Sequence, residues 1–149
     1  MTKEEFMSAI ACRPGESLRD HDDVVNGVGE KLRKLTDEQQ FQILFPIAVS
    51  SQSHGDFPVL DAAILLQRLS PECPIVCEDA IMALLPEWDV SIEQVVFYLV
   101  ARCGSKRVRE AASDVERQIT SERDKATIRA VVYWVGIYDE VRASQISPP

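Results

Sequence analysis

The two histidines of this 149-residue chain both stand among carboxylates. His21 lies in Arg19-Asp20-His21-Asp22-Asp23, and His54 directly precedes Gly55-Asp56. An imidazole beside carboxylates can bind a divalent metal or move a proton, because its ordinary pKa lies near neutrality. A zinc-type pair on a helix repeats its ligand one turn later, and neither histidine has a ligand at i+4. Both fall in stretches that read as polar loops, with Asp22 and Asp56 placed to cap the helices that follow. A metal-dependent or acid–base enzyme using His21, His54 and nearby Asp is therefore the alternative function, not the first. Cys73 and Cys77 are four apart around Pro74, but no second pair follows, so no metal is expected there. There is no Gly-rich phosphate loop, G-x-S-x-G or Ser-His-Asp order, and no cofactor is expected.

Cys103-Gly104-Ser105-Lys106-Arg107-Val108-Arg109 fits the pattern C-x5-R. The string resembles the phosphate loop of cysteine phosphatases, which implies a nucleophilic thiolate with Arg and backbone amides holding phosphate oxygens. That chemistry needs a strand before the cysteine, whereas Ala101-Arg102-Cys103 reads as a helix end. A milder reading keeps the charge alone. Arg102, Lys106, Arg107 and Arg109 crowd the start of a helix, where cations beside free amides make a candidate anion site. Trp88, in Pro86-Glu87-Trp88-Asp89, is a candidate anchor for a partner if its ring is exposed.

Helical spacing of apolar residues runs through nearly the whole chain and no segment alternates like a strand, so the fold class is all-α. The spacing predicts about eight helices. They cover Lys3 to Cys12, Asp22 to Leu35, Thr36 to about Val49, Asp56 to Leu69, Pro74 to Leu85, Ser91 to Cys103, Ser105 to about Ile119 and Ser121 to Val141. Thr36 with Gln39 and Ser91 with Gln94 are placed for capping boxes, and Pro46 should kink the third helix. Residues 1–143 form one domain, and 144–149 should fray.

Helix starts at Phe57, Pro74 and Ser91 fall two equal steps of 17 apart. Local phrases recur, as in Leu60-Asp61-Ala62-Ala63-Ile64-Leu65-Leu66, Cys77-Glu78-Asp79-Ala80-Ile81-Met82-Ala83-Leu84-Leu85 and Val108-Arg109-Glu110-Ala111-Ala112. Over residues 36–140 this rhythm resembles HEAT-like repeats, which implies a short α-solenoid of antiparallel helix pairs and a protein-binding scaffold. An irregular helical bundle accounts for the same pattern.

Charge narrows the partner. With 24 Asp and Glu against 16 Lys and Arg the chain carries −8, which argues against nucleic acid. Residues 1–90 hold a net −9 and residues 91–149 a net +1. An acidic half favours a basic protein partner or head-to-tail self-association as a homo-oligomer. The acidic face expected to bind it includes Asp22, Asp23, Asp37 and Glu38. A charged start without an apolar run, and no stretch near the ~20 residues that span a bilayer, point to a cytoplasmic protein with no membrane partner. The first functional expectation is thus a small protein-interaction module, either scaffold, adaptor or immunity-like inhibitor.

Overall fold

The computed structural model describes residues 1–11, 15–51 and 58–146. Among them are eight helices and no strand: α1 (Lys3–Ile10), α2 (Leu18–Leu32), α3 (Asp37–Ala48), α4 (Pro58–Leu69), α5 (Cys77–Met82), α6 (Glu93–Cys103), α7 (Ser105–Glu116) and α8 (Glu122–Ile146). The all-α expectation holds.

Hydroxyl caps decide several helix starts. Thr36 Oγ1 accepts from the Gln39 amide at 3.2 Å while Gln39 Oε1 accepts from the Thr36 amide at 3.0 Å, the capping box read in the sequence. Ser17 Oγ accepts from the Asp20 amide at 3.1 Å and starts α2 four residues before Asp22. His21 and Asp22 are therefore helical, not loop and cap. At α6 the expected box is absent. The Ser91 amide and hydroxyl both turn back to Asp89 Oδ1, at 2.9 and 2.7 Å, and α6 opens at Glu93 without a side-chain cap. α5 is shorter than Pro74 to Leu85, because tight turns through Leu84 and Leu85 replace its last part ahead of Pro86. α8 continues to Ile146, so the tail expected to fray is helical up to that residue. The Asp56 cap and Pro14 lie outside the described residues.

α1 and α3 pack on α4, α1 also packs on α2, and α2 reaches α4. Beyond that, α4 packs on α6, α6 on α8 and α5 on α7, while α7 touches both neighbours. The even 17-residue rhythm is not kept, since α4, α5 and α6 begin at residues 58, 77 and 93.

The core includes Phe6, Leu32, Leu44, Leu65, Leu66, Ile81, Leu99 and Ile128. Trp88 belongs to it as well. It is only 5% exposed, and its indole N–H donates to the Ile92 carbonyl at 3.2 Å. Trp88 is a core residue and offers a partner no ring face, which corrects its reading as an anchor.

Tyr98 is fully buried, and its hydroxyl donates to the Pro71 carbonyl at 2.8 Å. Tyr98→Phe keeps the ring and orphans that carbonyl, so unfolding in urea should show a loss of about 1–3 kcal/mol. An unchanged midpoint would contradict this role for the hydroxyl.

Candidate functional site

The inner stripe of α2, Val25, Val28 and Leu32, extends one turn back to His21, so the helix carries the imidazole inward against α4. Gly29 makes the approach close. A Cβ there would meet Leu65 Cδ2 on α4 at 3.1 Å. Facing His21 on α4 is Asp61, a carboxylate inside the otherwise apolar phrase Val59 to Leu66. His21 Nε2 lies 2.7 Å from Asp61 Oδ2, and its Nδ1 lies 3.3 Å from Glu16 Oε2, just ahead of α2. The three side chains are about nine-tenths buried.

Both partners of the ring are carboxylates, which accept and cannot donate when ionised. An imidazolium with two N–H donors satisfies both contacts at once. The Asp61 hydrogen bond accordingly raises the His21 pKa above its ordinary 6.5, against the opposing effect of burial. Burial also lifts the Asp61 carboxyl above its usual value, while His21 pulls it down. The protonated array Glu16–His21–Asp61 carries a net −1 and ties the start of α2 to α4.

Three hollows adjoin along the α2–α4 seam. The first, of about 430 Å³, is floored by Leu60 and Ile64, rimmed by Leu18, and bounded by Glu16, His21, Asp22 and Asp61. The second, of about 220 Å³, shares Asp22, Asp61 and Ile64 with it and adds Val25, Asn26 and Arg68. The third, of about 330 Å³, shares Asn26 and Arg68 with the second and reaches Arg33 and Leu69. At 1.5 Å per residue, the span from Leu18 to Arg33 is about 22 Å. Leu18 is 83% exposed, far more than the other exposed large apolar side chains of the described residues. The groove is apolar and acidic at the Leu18 end. At the other end Arg68 donates to Asn26 Oδ1 at 2.8 Å, and Arg33 pairs with Glu30 at 3.2 Å.

Of the acidic face read in the sequence, Asp22 lines this groove and Asp23 is exposed beside it. Asp37 and Glu38 are exposed at the start of α3, beyond the remaining ten residues of α2, about 15 Å of helix. Asp37 Oδ2 is also occupied, accepting from the Glu72 amide at 2.8 Å. The four residues are not gathered at one spot.

The cations proposed to hold an anion are largely neutralised. Arg107 pairs with Glu78 at 2.6 Å, Arg109 with Asp139 at 3.3 Å and Lys106 with Glu110 at 3.9 Å. Arg102 is exposed at the end of α6. Cys103 closes a helix and Gly104 alone, at φ 91°, links it to α7. The strand that a phosphatase loop requires is missing there, and Arg109 is turned to α8. His54 lies outside the described residues, so its distance from His21 does not enter. Among the described residues no group of three His, Cys, Asp or Glu could hold a metal ion, and no helix is long and apolar enough to cross a membrane.

Sequence reasoning missed Asp61, Glu16 and Leu18. Asp61 had a visible signal, since a carboxylate within an apolar run needs a buried partner. No family model, no curated protein and no solved structure matches this chain, so its functional reading rests on the geometry of the α2–α4 groove.

Proposed function

We propose that this chain is a protein-interaction module whose α2–α4 groove receives a basic, amphipathic segment of another protein. The observation that carries the reading is an exposed Leu18 over an apolar floor, with Glu16, Asp22 and Asp61 around the same hollow. Apolar side chains of the partner cover Leu18, Leu60 and Ile64, and its cations face the exposed Asp22, with Glu16 and Asp61 held by His21 beneath. The net −9 of residues 1–90 adds long-range attraction for such a partner.

The second reading is acid–base catalysis by His21 oriented by Asp61, on the strength of their 2.7 Å contact. A general base keeps one ring nitrogen for its substrate, whereas both nitrogens of His21 already face carboxylates. The binding reading is therefore preferred.

A labelled Leu/Lys amphipathic peptide of about 15 residues, matched to the groove by helical rise, distinguishes the charge preference. Fluorescence anisotropy should show saturable binding of this peptide and none of its Leu/Glu counterpart. Equal binding of both, or of neither, contradicts the proposal.

A further inference from the structure

The longest helix carries a second apolar face that stays exposed. α8 runs for 25 residues and packs on α6 and α7. Its Ile128, Val131 and Val135 are buried in the core. At about 100° per residue, Ala126, Ala130, Tyr133, Ile137, Val141 and Ser144 fall on a different stripe, centred about 120° round the helix from Val131. Ala126, Tyr133, Val141 and Ser144 are exposed, Tyr133 by 59% and Val141 by 49%, while Ala130 and Ile137 are half-buried. A helix that is apolar on more than one side is ordinarily covered on more than one side.

Packed rings hold this face in place. The Tyr133 ring meets Trp134 edge-on, with centroids 5.0 Å apart. Trp134 and Tyr138 both stand against Phe97 of α6, at 6.2 and 5.5 Å. The Trp134 indole N–H donates to the Val90 carbonyl at 2.7 Å, and the Val90 side chain is itself exposed beside it. The surface is therefore ordered before anything docks, which lowers the entropic cost of association.

Two charges say what covers it. Lys125 pairs with Glu122 at 3.8 Å, Asp139 with Arg109 at 3.3 Å, and Arg142 lies over the Tyr138 ring. Arg129 and Glu140, by contrast, are exposed and make no ion pair among the described residues. Both flank the stripe along the same edge, about three turns apart. Beside a parallel second α8, each would face its own like charge. Beside an antiparallel one, a two-fold axis at the level of Val135 brings Arg129 to Glu140 of the second copy, and Glu140 to its Arg129. The match arises because Arg129 lies six residues before Val135 and Glu140 five after it. The same axis sets Tyr133 opposite Ile137 of the second copy. We propose that this chain forms a symmetric dimer through antiparallel α8 helices, joined by the Tyr133–Ile137 stripe and two Arg129–Glu140 ion pairs. The inference stands independently of the α2–α4 groove.

A single helix pair is a small interface, so the dimer of the full chain should dissociate with a constant of about 10–100 µM. Sedimentation equilibrium across that range should show a monomer–dimer balance. Arg129→Glu alone, or Glu140→Arg alone, sets like charges opposite each other twice and should raise the dissociation constant about tenfold. The two substitutions together exchange the charges and should restore it. Tyr133→Asp should leave the chain monomeric. All three side chains are exposed, so far-UV circular dichroism should show the parental helix content in each variant. A parent chain that stays monomeric at about 500 µM overturns the proposal. So does a dimer that ignores the single reversals or is not restored by the exchange. A dimer lost on Leu18→Asp but kept on Tyr133→Asp overturns it as well, because the contact would then lie at the groove.

Discussion

Asp61→Ala lowers the free energy of unfolding by about 3 kcal/mol at pH 6, near the lower end for removing one partner of a buried ion pair. The lower end applies because His21 can shed its proton once Asp61 is gone. The pH dependence identifies the cause. The folded chain binds the His21 proton more tightly than the unfolded chain, whose histidine titrates near 6.5. This contribution is complete below pH 6.5 and is lost as pH rises through the raised folded pKa. The gap between parent and Asp61→Ala should therefore narrow from pH 6 to pH 9 in urea titrations. A triple variant, Glu16→Gln with His21→Leu and Asp61→Leu, should recover most of the loss, because apolar and neutral groups can replace a buried ionic array at little cost when no charge loses its partner. A gap that stays constant with pH would mean that Asp61 acts through packing and not through the imidazolium.

The second large effect concerns binding. Leu18→Asp with Asp22→Lys removes the exposed apolar contact and reverses a charge at the same hollow. Affinity for the Leu/Lys peptide should fall at least tenfold, about 1.4 kcal/mol. Both side chains are exposed, so stability should move by no more than about 0.5 kcal/mol. A separate set, Asp22→Asn, Asp23→Asn and Glu38→Gln, should slow association without speeding dissociation, most visibly at low salt. Screening within about 8 Å at physiological ionic strength should shrink that difference. Asp37 is left intact because its carboxylate holds the Glu72 amide. Stopped-flow rates that ignore both salt and these substitutions contradict the electrostatic part of the account.

Short-range features were the legible ones. The Thr36–Gln39 box depends on residues three apart, and both halves form as their types dictate. His21 was misplaced because two caps competed. Asp22 and Asp23 look like a helix start, but Ser17 begins the helix first and moves His21 from a loop to a buried face. The His21–Asp61 contact spans 40 residues, and the Arg107–Glu78 pair, which joins α7 to α5, spans 29. Neither follows from local spacing. At Ser91 the same hydroxyl chemistry chose Asp89 over a cap, and Trp88, with its indole turned to Ile92, became core. The long-range contacts lay beyond the reach of local spacing, whereas Ser17, Ser91 and Trp88 were decided by competing partners two to four residues away.

The groove is tested most directly by contacts between the unmodified chain and the bound Leu/Lys peptide. In isotope-filtered NMR, the peptide leucines should give intermolecular NOEs to Leu18, Leu60 and Ile64, with amide shifts extending along α2 through Asn26. NOEs confined to another apolar surface, such as exposed Tyr133 and Val132 on α8, would contradict docking at the α2–α4 groove.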